Sequence, residues 1–588
     1  MISEMSEEST RHILSADAIQ EVNDDTEADD RPESPARLSV QAGNTYQVPQ
    51  MMSKEEDHPK TMRTPSMAEI LGNRKATLAA ALLLLIYFLV CLSMRVSVAT
   101  AGGFFLSHYL RSMNATLAIS NAFFDKLIML GATKSFSLLC GLAADVWFGH
   151  FFMIIFGFVV SFVGLLFVGV HFALPIKVFP VVAKDLGLTG FVLCGLASAC
   201  FYPVFPVIGA NYFHRRNHKN AFLHWLIFAE KLSETIVKVL FAIQYLYHDI
   251  YQDSWQMFLA APAATMLAFI FFMVGKGSWP ITRKSGSQLL RGVRATIERL
   301  RGRQQSPRQS YHGLAGNKSS SSFHYIGETK MLINILLVNT CILCVGTVTI
   351  QTSAMFQLQG AQLIHLSNTT YDDINPAYME GFTALTLLIV IPVFAFVLSP
   401  RLVIKGGFYF ASYFKMGIGM VCGSLSVVAF ILLQQYIVDM YPDGDKTGYA
   451  LFYQVPQYAL VSVAQVTHIA ALEYSYQGAP QMLKCVSVAI YELAIGLSFF
   501  VTLIVEKINL TNESSRFDPY DVRDDSMEYT MTIFPLVVST LGACVFLALA
   551  VRAYRQYSGA SKQYSPRYNQ VRYGSIVVGK AGNNENAS

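Results

Sequence analysis

Charge is scarce where this chain is apolar, so the few charged residues that interrupt its apolar runs are the first place to look for chemistry. Arg95 stands late in a run that opens near residue 77; Asp125, Lys126 and Lys134 interrupt a second, and Glu230, Lys231, Glu234 and Lys238 a later one. Glu492 lies two turns into a run that opens at 485, and Glu473 closes another just ahead of Ala479-Pro480. A charge inside such a run faces protein or a watery cavity rather than lipid. There it can bind an ion or polar solute, or take up a proton, because burial raises a carboxylate pKa toward neutrality. Arg95 is placed well inside its run, to pair with one of these acids or to meet an anionic ligand. Plainer roles stand beside these. Glu230, Glu234 and Lys238 are spaced four apart and equally describe an ion ladder along one helix face. Glu473, at a helix end, suits the organisation of a loop or gate, and the side chain of Glu492 is short for snorkelling. No nucleophile elbow, HExxH, glycine-rich phosphate loop or hydrophilic cysteine/histidine cluster is found, so neither an enzyme nor a cofactor is expected. Cys341 and Cys344 have the spacing of a redox pair but sit in an apolar run, and are read as small residues of a membrane helix.

The elements that must hold these residues are membrane helices. The 588 residues are 53% hydrophobic and 14% charged, against about 25% charged in soluble domains. The net charge of +4 gives no reason to expect a nucleic-acid partner. Runs long enough to cross a bilayer fall at 77–101, 118–141, 150–171, 186–209, 220–246, 255–275, 331–357, 380–399, 407–435, 448–473, 485–506 and 531–552. The predicted fold is an all-α membrane protein of twelve transmembrane helices in a 6+6 arrangement. Residues 1–75 form a polar, acidic, disordered tail without a cleavable signal. Residues 76–275 form one six-helix bundle, 276–330 a basic linker, 331–552 a second bundle and 553–588 a tail. The linker holds eleven Lys/Arg and two acidic residues, Glu298 and Glu328, while Asp249, Asp253, Asp372, Asp373, Asp439, Asp443 and Asp445 lie in alternate loops. By the positive-inside rule both termini and the linker are cytosolic. The sequons at Asn114, Asn368, Asn509 and Asn512 fall on the outer side in this phasing, those at Asn317 and Asn586 on the inner. The membrane is the plasma membrane or an endolysosomal one. No filter-like pore loop suggests a channel.

Two motifs carry a resemblance. Gly141-Leu-Ala-Ala-Asp145-Val-Trp-Phe-Gly149-His150 looks like the gating motif of major facilitator proteins, with His150 where Lys or Arg is usual; an ordinary tight turn reads the same way. Gln454-Val-Pro-Gln457-Tyr458, followed by Ala471-Leu-Glu473-Tyr-Ser-Tyr476-Gln-Gly-Ala479-Pro480-Gln-Met-Leu-Lys484, closely resembles the tenth-helix signature of the proton-coupled oligopeptide transporter family. Gln351 to Gln359, Ile374-Asn375-Pro376, Ile391-Pro392 and Lys415-Met-Gly-Ile-Gly agree with its seventh, eighth and ninth helices. The resemblance implies two halves that rock about a site near the bilayer midplane.

Departures from the family pattern bear on function. The family's first-helix Glu-x-x-Glu-Arg falls at Cys91 to Arg95, so both carboxylates are absent. The fourth-helix lysine falls at Tyr202, the tenth-helix glutamate at Gln465, and the seventh-helix Asp and Arg at Ile350 and Met355. Asn375 matches, Glu230 replaces an asparagine, and Tyr491 replaces a tryptophan beside an added acid, Glu492. By this correspondence Arg95, Tyr202, Glu230, Gln351, Asn375, Gln465, Tyr491 and Glu492 are the substrate-binding candidates, and Asp145, Glu473 and Lys484 the gating ones. The expected function is secondary transport of small peptides or a related small organic solute by alternating access. Gln, Tyr and Met do not titrate in the working range, so any proton coupling must pass to Glu230, Glu473 or Glu492. A transporter-like scaffold or sensor that moves nothing is the alternative.

Overall fold

The computed structural model describes residues 67–109, 115–173, 180–213, 216–247, 255–279, 318–351, 377–440, 450–480 and 483–512, with single positions near 360 and at 542. Long apolar stretches with few helix breakers become rods: α1 Met67–Tyr109, α2 Ala115–Ala143, α3 His150–Ala173, α4 Pro180–Ala210, α5 Arg216–Tyr247 and α6 Trp255–Val274. After the linker come α7 Lys318–Gln351, α8 Ala377–Pro392, α9 Ser399–Met440, α10 in two pieces, Val455–Ala464 and Val466–Gln477, and α11 Lys484–Asn512. The expected twelfth span, 531–552, lies outside the described residues except at Gly542.

Nine of the rods are long and apolar enough to cross a bilayer, among the described residues. The other two fall short for physical reasons. In α5 the charges at 230–238 interrupt the apolar run. α10 is broken at Gln465, whose carbonyl accepts from His468 at 3.0 Å in a tightened turn, a local geometry that often marks a hinge. Two π turns, Ala144–Phe148 and Val393–Leu398, extend α2 and connect α8 to α9. Pro392 at the end of α8 forces the second.

The rods sort into two groups. α1 packs on α5 and α6, α3 on α4 and α6, and α2 on α4; in the second group α7 packs on α11, α9 on α10 and α8 on the first piece of α10. The groups meet along two seams, α2 and α4 against α11, and α5 against α8 and the second piece of α10. The α2–α11 seam is close because small residues line it. A Cβ on Gly141 would come within 2.8 Å of the Ala489 Cβ and of the Cys485 carbonyl oxygen. Without a hydrophobic drive between helices in lipid, such contact between small residues is what holds membrane helices together. Outward faces are apolar, with Leu78, Phe152, Ile389, Leu432 and Ile504 all exposed, as a lipid-facing surface requires. This is the major facilitator architecture.

Candidate functional site

Midway along the rods the charged residues converge. The Nη2 of Arg95, on α1, donates to Glu230 Oε1 of α5 at 2.6 Å and lies 3.4 Å from Glu234 Oε2. Glu234 also accepts from Lys231 at 3.1 Å and from Lys238 at 2.9 Å. The four-residue spacing on α5 therefore makes both a ladder along the helix and a clamp on its neighbour. The Tyr87 hydroxyl donates to Glu230 Oε2 at 3.5 Å. Across the seam, Lys134 of α2 donates to Glu492 Oε2 of α11 at 2.7 Å. The Lys134 ammonium sits 3.3 Å from the centre of the Tyr202 ring, a cation–π contact with the residue that stands at the family's lysine position. The His468 ring lies 6.3 Å from that of Tyr491, and its Nδ1 is buried without a hydrogen bond. Among the described residues, four cations, Arg95, Lys134, Lys231 and Lys238, thus face three carboxylates, Glu230, Glu234 and Glu492. The arrangement can hold an anionic or zwitterionic solute by exchanging protein ion pairs for solute ones.

A second cluster closes one end of the molecule, where the α2–α3, α4–α5 and α10–α11 links lie and where the linker departs from α6. This is the linker end. Lys415 of α9 and Glu473 of α10 form an ion pair with both side chains sealed from solvent, and Lys415 also reaches Ser399 Oγ at 3.3 Å. His224, on α5 of the other half, brings Nδ1 to 3.1 Å from Glu473 Oε1 and 2.8 Å from the Asn220 carbonyl oxygen. Since a carbonyl only accepts, Nδ1 carries the proton. Nearby the Tyr476 hydroxyl donates to Asn211 Oδ1 at 2.9 Å, and Lys484 reaches Asn211 Oδ1 at 3.3 Å and Tyr476 at 3.2 Å. Gln477 donates to Asn220. Asp145 Oδ2 accepts the Val486 backbone N–H at 2.9 Å, holding a carboxylate on the N-terminus of α11. The His224–Glu473, Tyr476–Asn211, Lys484–Asn211, Gln477–Asn220 and Asp145–Val486 contacts each join one group of helices to the other.

The residues expected from the sequence divide accordingly. Arg95 and Glu230 are in contact, and Lys134 brings Tyr202 and Glu492 together. Tyr491 is buried beside Glu492. Gln465 sits at the break in α10. Asp145, Glu473 and Lys484 are all at the linker end. The side chain of Gln351, the last residue of α7, and the whole of Asn375 lie outside the described residues. Lys134, Glu234 and His468 complete the centre, and His224, Lys415 and Asn211 the closed end. For Lys134 the signal was present, since an intramembrane lysine is itself a mark of function; for Lys415 it was the ninth-helix motif.

Two groups of membrane-spanning rods with charged clusters buried among them are the fold of the major facilitator type. The chain belongs to the POT family, whose model matches residues 151–517. It is 24% identical over 274 residues to human solute carrier family 15 member 1, covering 44% of this chain and 38% of that one. It is 22% identical over 366 residues to the Arabidopsis thaliana protein NRT1/PTR family 5.12, covering 55% and 65%. The chain thus spans less than two thirds of the length of these curated relatives. Among solved structures, the POT family transporter PepTSo superposes with a TM-score of 0.60 at 17% identity, over 81% of this chain and 98% of that one. An auto-inhibited POT family peptide transporter gives 0.59 at 14% identity, over 81% and 97%. A POT family transporter in complex with 5-aminolevulinic acid gives 0.52 at 13% identity, over 80% and 95%. At these identities the superpositions speak for the fold.

Proposed function

We propose that this chain is a secondary transporter that carries small peptides, or a related small organic solute bearing a carboxylate, across a membrane by alternating access. The observation that carries the reading is the Lys134–Glu492 ion pair, which joins the two halves at the centre of the α2–α11 seam. A charge pair there makes sense where the halves must part and rejoin around a charged solute, since uncompensated charge in that setting is costly. The excess of cations over carboxylates favours a solute with a net or local negative charge. Arg95, Tyr202, Glu230, Tyr491 and Glu492 would line the bound solute, with Gln351, Asn375 and Gln465 contributing from the second half. Asp145, Glu473 and Lys484 would gate it. The complex of a related transporter with 5-aminolevulinic acid supports a small amphipathic cargo as well as peptides.

The linker, both tails and the closed end would face the cytosol. α11 runs to Asn512, carrying the sequons at Asn509 and Asn512 to the end opposite the linker. The domain boundaries at 75, 275, 330 and 552 follow this scheme. Proton drive, where it operates, passes through Glu492 or Glu230 rather than through first-helix carboxylates. The test is uptake of labelled dipeptides, amino acids and 5-aminolevulinic acid into proteoliposomes, at acidic and neutral external pH. Wild type should accumulate a carboxylate-bearing solute, and Arg95→Ala and Glu492→Gln should each reduce uptake at least about tenfold, the size of one lost charged contact in a buried site. Absence of both uptake and binding by the purified protein overturns the reading in favour of a non-transporting scaffold.

A further inference from the structure

At the linker end, Asp145, His150 and Cys485 bring a carboxylate oxygen, an imidazole nitrogen and a sulfur to within 4.8 Å of one another. All three side chains are buried. Their meeting has a local cause. The π turn Ala144–Phe148 ends at Gly149, whose φ of 83° reverses the backbone and swings His150 back over Asp145. Their side chains then lie 2.9 Å apart, Nε2 to Oδ1. The close α2–α11 approach supplies Cys485 from the other half. The second carboxylate oxygen is already oriented by the Val486 N–H, as metal-binding carboxylates usually are. A lysine or arginine at position 150 would give a fixed ion pair with Asp145; histidine gives a ligand instead.

We propose that Asp145, His150 and Cys485 form a Zn2+ site that exists only while the linker end is closed. One oxygen, one nitrogen and one sulfur are a zinc donor set, with bonds of about 2.0–2.3 Å and a water completing the tetrahedron. Ligand atoms bound at those lengths lie roughly 3.3–3.8 Å apart, so atoms within 4.8 Å of one another need close by at most about 1–1.5 Å to take an ion. The thiol sulfur and imidazole disfavour Ca2+ and Mg2+, which take oxygen ligands. On binding, the Cys485 thiol gives its proton to water and coordinates as thiolate. His150 coordinates through Nε2 as the neutral ring, its single N–H proton carried on Nδ1, so no net proton is lost from the imidazole. Asp145 and His150 belong to one half and Cys485 to the other. The ion therefore binds the closed arrangement in preference to the open one and shifts the population toward it by that difference in affinity. Zinc would act as a bolt on the gate. The site is independent of the cargo.

The experiment is a titration of the purified full-length chain in detergent with zinc chloride, followed by calorimetry and by thermal unfolding. Wild type should bind one Zn2+ saturably and unfold at a higher temperature. His150→Asn and Cys485→Ala should each weaken binding at least about tenfold, and Ca2+ or Mg2+ should leave the unfolding temperature unchanged. Should the variants fail to fold, wild type alone decides by alkylation. Cys485 is sealed when the linker end is shut, so zinc should slow its modification while leaving the half-buried Cys344 unaffected. Wild type without a zinc-dependent shift, variants that bind like wild type, or alkylation of Cys485 indifferent to zinc each overturn the proposal. A zinc-binding protein that carries no solute would leave it standing and sink only the transport reading.

Discussion

Among the described residues two ion clusters lie inside the bundle, and they differ in their access to solvent. At the linker end, Lys415 and Glu473 are exposed by 1% and 0%. At the centre, Arg95, Lys134, Glu230 and Glu234 keep 22%, 16%, 17% and 14% of their side-chain surface open, and Glu492, the least accessible of them, keeps 7%. Charges withdrawn wholly from water must be satisfied by protein alone, and their partners are fixed: Glu473 has Lys415 on one oxygen and His224 beside the other. Charges that keep some access can exchange a protein partner for water or for a solute. The sealed pair therefore reads as a fastening and the open cluster as a place of exchange.

The largest expected effect tests the sealed side. Glu473→Gln leaves Lys415 charged and unpaired in a site closed to water, and should cost about 3–5 kcal/mol of stability. Lys415→Met with Glu473→Leu removes both charges and should recover most of that, because replacing a buried pair by apolar groups is often neutral. Thermal unfolding in detergent measures both. A single variant as stable as wild type would mean that water reaches this pair and that the contrast drawn above is false.

Next in size is the central pair. Lys134→Met strips Glu492 of its ion-pair partner, but the carboxylate is not fully sealed, with 7% of its side-chain surface open. The expected loss is about 1.5–3 kcal/mol, the scale of a hydrogen bond to a charged group, and uptake should be lost with it. The exchange Lys134→Glu with Glu492→Lys should restore part of the uptake if the pair works across the seam. A central variant more destabilised than the Glu473 variant would reverse the ranking of the two clusters.

How much of this could be read in the sequence follows the same division. The rods are legible because lipid demands long apolar runs, and even the weak fifth span was visible as a helix carrying an ion ladder. Arg95 stood out because an arginine in an apolar run must find an acid. Which acid it finds is a tertiary matter: Glu230 lies 135 residues away, and Lys134 and Glu492 are separated by 358. No local spacing encodes such partners. The break at Gln465 was equally hidden, since it contains neither glycine nor proline; beside it α10 meets α9, where Thr467 Oγ1 donates to the Met416 carbonyl at 3.4 Å. Lys134 was visible as an intramembrane charge, but Tyr202 took its place among the candidates because family correspondence weighs position rather than contact.

A neutral contact in the sealed region separates burial from charge. Asn339 on α7 donates to Ser475 Oγ on α10 at 2.8 Å, also buried. Ser475→Ala leaves Asn339 its second bond, to the Ile335 carbonyl oxygen at 3.0 Å, so the loss should be about 1 kcal/mol. A cost equal to that of Glu473→Gln in the same unfolding experiment would show that tight packing at this end, rather than sealed charge, sets the penalty.

The smallest effect belongs to the outermost rung of the ladder on α5. Lys238 keeps 26% of its side-chain surface open and donates to Glu234 from the next helical turn. An i,i+4 pair with that much solvent contributes about 0.5 kcal/mol or less, and Glu234 retains Lys231 and Arg95. Lys238→Ala should therefore leave the unfolding temperature almost unchanged. Its use is on the exchange side of the comparison. It removes one cation from the open cluster while leaving the Arg95–Glu230 and Lys134–Glu492 pairs in place, so the four cations and three carboxylates become three and three. If surplus positive charge selects the cargo, the variant should carry a zwitterionic dipeptide as wild type does and lose preference for a solute with a net negative charge. Equal preference before and after would place selection in the paired residues themselves, and the surplus would be structural.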